Sequence, residues 1–260
     1  MNAQTERYLI DGPAGKLEVA IDRVANDRVA IDRVANDRVA IDRVAIDRVA
    51  NDRVANDRPE AAGAAGASVD PDAAPRYAFV AHPHPLFGGT MDNKVAQTLA
   101  RAFVQLGYVT ARLNFRGVGQ STGAHDKGEG EQDDLLALID HVRGRADPAA
   151  PAAARPVFVL AGFSFGAFVT SRVAATLRDQ GDAAARLALV GTPAGRWEIP
   201  TVPEDTLVIH GEQDETIPLA DVFTWARPQE LPVHVLPGAD HFFHRKLHVL
   251  KRMITESWRV

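Results

Sequence analysis

Chemistry is most legible in this chain at Gly162-Phe163-Ser164-Phe165-Gly166. An apolar run, Pro156 to Ala161, precedes these residues and a segment with helical patterning follows, so the two glycines bracket a sharp strand-to-helix turn. Side chains at 162 and 166 would collide with their neighbours in such a turn, and the serine at its apex is pushed out above the sheet. A serine hydroxyl is a weak nucleophile near neutral pH until a base takes its proton, and the base must in turn be oriented by an acid. Both kinds of group follow Ser164: Asp214, in His210-Gly211-Glu212-Gln213-Asp214-Glu215, and His241, in Pro237-Gly238-Ala239-Asp240-His241-Phe242-Phe243-His244. Glu212 and Glu215 compete with Asp214 for the acid and His244 competes with His241 for the base. Asp240 reads as a loop or capping residue. Such a set attacks a carbonyl carbon.

The tetrahedral intermediate of that attack needs two N–H donors. The backbone N–H of Phe165, directly after the serine and at a helix N-terminus, is the first. The second is expected from the turn after the strand at 77–81, within His82-Pro83-His84-Pro85-Leu86-Phe87-Gly88-Gly89; Pro83 and Pro85 have no N–H, so among residues 83 to 85 only His84 can donate, with Leu86 as the alternative. His82 and His84 also form a His-x-His pair of the kind that can bind zinc. No third ligand stands at a recognisable spacing, so no metal is expected, and ring packing within the turn is the expected role of His82. Arg116 reads as a loop-organising ion pair in preference to a substrate contact.

These residues must be held by a scaffold, and its punctuation is regular. Arg7 to Ile10 and Lys16 to Ile21 read as a hairpin. Beyond it, strands are expected at 77–81, 109–114, 156–161, 186–190, 206–210 and 232–236, alternating with helices at 93–106, 129–143, 165–177, 219–225 and 245–258. This alternation predicts a mostly parallel sheet with helices on both faces, and reactive groups at the carboxyl ends of its strands. Val19 to Arg58 interrupts the pattern with eight tandem copies of Val-Ala-(Ile/Asn)-Asp-Arg. An odd period sends each residue type to alternate faces of a strand, and on a helix it spreads the valines around the cylinder. Residues 19–58 are therefore expected to be a solvated, low-complexity insertion, followed by an Ala/Gly/Pro-rich linker at 59–76. A pentapeptide β-helix would need an apolar residue at each copy's centre, where Asn26, Asn36, Asn51 and Asn56 stand in half of them.

With 260 residues and a formal charge of −5, the chain has no basic footprint to recruit nucleic acid or an anionic membrane surface. It has no cysteine, which removes disulfides and a thiolate nucleophile together, and no run long and apolar enough for a membrane span. A cytoplasmic location is expected.

Five motifs in order, from His82-Pro83-His84-Pro85-Leu86-Phe87-Gly88-Gly89 through Asn114-Phe115-Arg116-Gly117-Val118-Gly119-Gln120-Ser121, the Ser164 turn, the His-Gly-x-x-Asp segment and the Asp-His segment, resemble the α/β-hydrolase superfamily. The likeness is to its small bacterial branch, similar to dienelactone hydrolases and related esterases, and runs over roughly residues 77 to 258. It implies one α/β-hydrolase domain over 1–260, with Ser164 as nucleophile, Asp214 as acid and His241 as base. No cofactor is implied. Two features depart from the family, namely the pentapeptide insertion and a serine where dienelactone hydrolases proper use cysteine. Larger relatives insert a helical cap where this chain has only the fourteen residues from Gly191 to Glu204, among them three prolines and Trp197, so no cap domain is expected. An open site walled by Phe87, Phe163, Trp197 and Phe242 suggests short or medium acyl esters. Thioesters, amides and acyl transfer are reachable with the same groups. From another class, a non-catalytic scaffold would present the repeat to a protein partner.

Overall fold

The computed structural model describes residues 3–24, 76–144 and 156–258. Repeat copies beyond Val24 and the linker at 59–75 lie outside these residues, and the scaffold reading lies there with them.

At the N-terminus β1 (Ala3–Gly12) and β2 (Gly15–Val24) pair as the expected antiparallel hairpin, but β2 is longer than expected. It runs through Val19-Ala20-Ile21-Asp22-Arg23, the whole first copy of the repeat. Packing therefore includes that copy, which corrects the expected start of the insertion at residue 19. Within one copy the spacing is that of a strand: Val19 and Ile21 point into the core, 0% and 3% exposed, and Asp22 turns to the other face. There Asp22 accepts from Arg112 Nε at 2.7 Å, Arg112 Nη2 at 3.1 Å and Thr5 Oγ1 at 2.6 Å. The two-residue period holds within one copy, so this first copy serves as strand.

After the hairpin come β3 (Tyr77–Ala81), α1 (Lys94–Gln105), β4 (Val109–Leu113), α2 (Glu129–Arg143), β5 (Phe158–Phe163), α3 (Phe165–Asp179), β6 (Leu187–Val190), β7 (Leu207–Gly211), α4 (Leu219–Ala226), β8 (Val233–Leu236) and α5 (Leu247–Ser257). These match the expected elements within a few residues. The sheet has eight strands in the order β1-β2-β4-β3-β5-β6-β7-β8. Pairing is parallel from β4 through β8 and antiparallel at the β1–β2–β4 edge.

Alternate side chains of each strand feed two cores. Phe79 and Leu160 join α2, α3 and the hairpin on one face, whereas Val80, Val159 and Ala161 join Leu99 and Phe103 of α1 and Leu250 and Ile254 of α5 on the other. Burial of this kind, roughly 25 cal/mol per Å² of apolar surface, holds the strand ends still. Between β6 and β7 residues 191–206 contain no helix, so no cap covers the carboxyl edge there. Among the described residues, no helix is long and apolar enough to cross a membrane.

Candidate active site

The glycines of the Ser164 turn are required by close approach of backbone to backbone. A Cβ at Gly162 would stand 2.3 Å from the carbonyl oxygen of Gly166, and one at Gly166 would stand 2.4 Å from that of Ala81. β5 enters the turn, α3 leaves it, and Ser164 sits between them at φ 55°, ψ −123°. Backbone strain of this kind in a residue with a Cβ costs about 1–3 kcal/mol and persists only where the surroundings enforce it. Ser164 N–H donates to the Val190 carbonyl at 2.9 Å, tying the turn to β6.

From three different strand ends, the structure brings Ser164, His241 and Asp214 together. His241 Nδ1 lies 2.6 Å from Asp214 Oδ2, and His241 Nε2 lies 2.9 Å from Ser164 Oγ. A carboxylate only accepts, so Nδ1–H donates to Asp214 and the bare Nε2 accepts the serine proton. Asp214 Oδ1 is held by the backbone N–H groups of Thr216 at 2.9 Å and Ile217 at 2.7 Å. Burial pushes the pKa of Asp214 up, but the hydrogen bonds from His241 and the Ile217 N–H outweigh it and leave the carboxyl below its ordinary value. Glu212 turns away to accept from Gly238 N–H, and His244 pairs on the surface with Asp240, whose Oδ1 also accepts the His244 N–H.

The turn after β3 is organised by its first histidine. His82 is fully buried; its Nδ1 lies 2.6 Å from the Pro83 carbonyl and its Nε2 accepts the Phe115 N–H at 3.0 Å. With both ring nitrogens engaged, His82 is a strut between the β3 and β4 ends, and burial lowers its pKa to about 4. A Cβ on Gly89 would stand 2.1 Å from the Pro83 carbonyl oxygen, which closes the turn on glycine alone. The Leu86 N–H is spent on His84 Nδ1 at 3.2 Å. The backbone N–H groups of His84 and Phe165 have no acceptor among the described residues.

Aromatic residues surround this point. The Phe87 ring, 86% exposed, lies 4.7 Å from that of His84, and Trp197 stacks on Phe168 and stands 6.1 Å from His84. Phe242, 45% exposed, stands edge-on to His241. Phe163, expected on the same wall, has no exposed surface: it packs beneath the His241 ring at 5.0 Å and acts as a floor for that ring, because its position in β5 points it into the core shared with α1 and α5. Arg116 is the expected ion pair, doubly bonded to the buried Asp134 through Nε at 3.0 Å and Nη2 at 2.8 Å.

Three residues escaped the sequence reading. His210, at the end of β7, lies 2.9 Å from the Ile217 carbonyl and 3.3 Å from Asp214 Oδ2, bracing the Asp214 loop; its place in the His-Gly-x-x-Asp segment was the available signal. His125 and Glu131 bond at 2.7 Å beside His84 and Phe165, and no local pattern announces that pair.

A serine at the apex of a strand-turn-helix, a histidine and a carboxylate on later strand ends, and an uncapped, mostly parallel sheet together define an α/β serine hydrolase. The family model for the alpha/beta hydrolase domain matches residues 80–252, and the chain belongs to that family. It is 32% identical to an α/β serine hydrolase without a lid from Xanthomonas campestris, a match covering 99% of this chain and 94% of that one with a TM-score of 0.70. An α/β serine hydrolase homologue from Coxiella burnetii is 31% identical over 98% of this chain and 97% of its own, with a TM-score of 0.69. A curated protein of uncharacterized function from Rickettsia prowazekii is 29% identical over 189 residues, 69% of this chain and 76% of that one.

Proposed function

We propose that this hydrolase is a serine esterase that cleaves short or medium carboxylic esters through an acyl-enzyme. Ser164 attacks the carbonyl carbon while His241 takes its proton. The oxyanion is held by the N–H groups of His84 and Phe165, and His241 returns the proton to the departing alcohol. Water, deprotonated by the same histidine, then releases the acid. Asp214 keeps the imidazole in the tautomer that presents Nε2 to the serine and stabilises it once charged. The observation that carries this reading is the continuous chain Ser164 Oγ–His241–Asp214, at 2.9 and 2.6 Å, on a turn whose glycines tolerate no side chain. Phe87, Trp197 and Phe242 offer a shallow apolar rim to the acyl group. A cytoplasmic site of action is part of the proposal, in keeping with a cysteine-free core that needs no oxidising compartment.

Intact-mass spectrometry after treatment with a fluorophosphonate tests it. One adduct on the parent and none on Ser164→Ala is the expected result. A folded parent that takes no adduct and hydrolyses no ester refutes it.

A further inference from the structure

Beside the proposed oxyanion donors lie two imidazoles that the ester mechanism does not use. The ring of His84 is 4.7 Å from that of His125, and the two rings are 4.9 and 5.4 Å from Phe165, the residue that follows the nucleophile. Each ring has one nitrogen committed to the protein. His84 Nδ1 accepts the Leu86 N–H, so the proton of the neutral ring is on Nε2. His125 Nδ1 meets Glu131 Oε1 at 2.7 Å, an oxygen that already accepts the Asp126 N–H at 3.0 Å; Oε2 accepts the Gly128 N–H at 2.8 Å. A carboxylate so engaged only accepts, so in the neutral ring the His125 proton is on Nδ1 and Nε2 carries a lone pair. Glu131 has no exposed side-chain surface, and through Gly128 it also fixes the start of α2, so His125 is held from a rigid element.

The remaining nitrogens are a donor, His84 Nε2–H, and an acceptor, His125 Nε2. Neither has a partner among the described residues, and neither is among the buried polar atoms left without one, so both are open to solvent. Beside the exposed Phe87 and the half-buried Trp197, with Phe165 and Phe168 packed beneath them, one donor and one acceptor on adjacent rings suit a hydroxyl, which accepts and donates at once. His84 contributes its backbone N–H to the oxyanion in the proposed reaction, so a group on its ring lies close to the carbonyl carbon.

We propose that His84 and His125 form a subsite that holds a hydroxyl on the acyl group, making short hydroxyacyl esters the preferred substrates. This rests on the serine-esterase reading. Polar sites of this kind reject the analogue lacking the hydroxyl, because their own groups are then left unpaired.

The test is the ratio of kcat/KM for methyl 3-hydroxybutanoate, each enantiomer in turn, to that for methyl butanoate, measured on the full chain. The parent is expected to prefer one hydroxyester by about tenfold or more, the yield of roughly two neutral hydrogen bonds. His125→Phe keeps an aromatic ring against His84 and Phe165 but loses Nε2, and His125→Asn stays polar but loses its reach; in either the ratio is expected to fall to about one. A parent that labels with fluorophosphonate yet shows a ratio of one or less overturns the subsite, whatever the variants do. So does a parent preference that survives unchanged in whichever variant folds. A parent that neither labels nor hydrolyses either ester refutes the esterase reading instead.

Discussion

Ile21→Asn converts the first repeat copy, Val-Ala-Ile-Asp-Arg, into the Val-Ala-Asn-Asp-Arg that stands at four other places in the repeat. If copies were interchangeable, the substitution would be silent. In the structure Ile21 is 3% exposed, lies opposite Glu6 in β1 and Ala111 in β4, and belongs to the core that includes Phe79, Leu113 and Leu135. Truncating a buried aliphatic side chain of this size costs about 2–5 kcal/mol, and an amide left there without partners adds about 1–3 kcal/mol. Since asparagine refills part of the volume, a net loss of about 3–6 kcal/mol is expected, a large share of the roughly 5–15 kcal/mol that a domain commands. Urea unfolding followed by tryptophan fluorescence reads it, the m-value reporting whether the exposed surface stays the same. The hairpin lies at the β1–β2 edge, away from β5, β7 and β8, so turnover per folded molecule should stay within about twofold of the parent. A destabilisation below about 1 kcal/mol would refute the placement of Ile21 in the core, and with it the claim that the first copy is a strand of the fold.

Two other outcomes follow from the site. Asp214→Asn should leave the chain folded, because an amide oxygen can still accept from Thr216 and Ile217. Its NH₂ would face His241 Nδ1 and impose the wrong tautomer, so kcat should fall by roughly 10⁴-fold, and a loss under tenfold in single-turnover hydrolysis would remove Asp214 from its role. For His82, burial lowers the pKa from 6.5 to about 4, so between those values the unfolded chain takes up a proton that the native chain refuses. Its contribution, about 3 kcal/mol, is complete above pH 6.5 and lost as pH falls toward 4. An NMR titration in which the His82 ring protonates at pH 6 or above would contradict that.

What could be read from the sequence follows the range of the forces involved. The Ser164 turn was legible because much of its constraint is local: Gly162 meets the Gly166 carbonyl that the strand-turn-helix itself brings near, although Gly166 is also required by Ala81 at the end of β3. The parallel sheet was legible for a similar reason, since each strand announces itself in its own apolar run. Asp214 was separable from Glu212 only through family likeness; in the structure the difference is that Asp214 caps its own loop through Thr216 and Ile217, whereas Glu212 reaches out to Gly238.

The misreadings share one cause. Phe163 is an aromatic residue beside Ser164, and sequence offers nothing to say which face of β5 it takes once the strand runs on through Gly162; the alternation of the sheet sends it beneath His241. In the first repeat copy the five-residue period argued against packing, but a strand needs its alternation only over its own length, and Val19 to Asp22 supply it before the period can interfere. His125 and Glu131 complete the case: their contact spans six positions, yet what gives it meaning is His84, brought alongside by a different strand end. Residues that act through one turn of backbone are written in the chain, whereas residues that act through a shared face acquire their role only when the sheet decides which side chains meet.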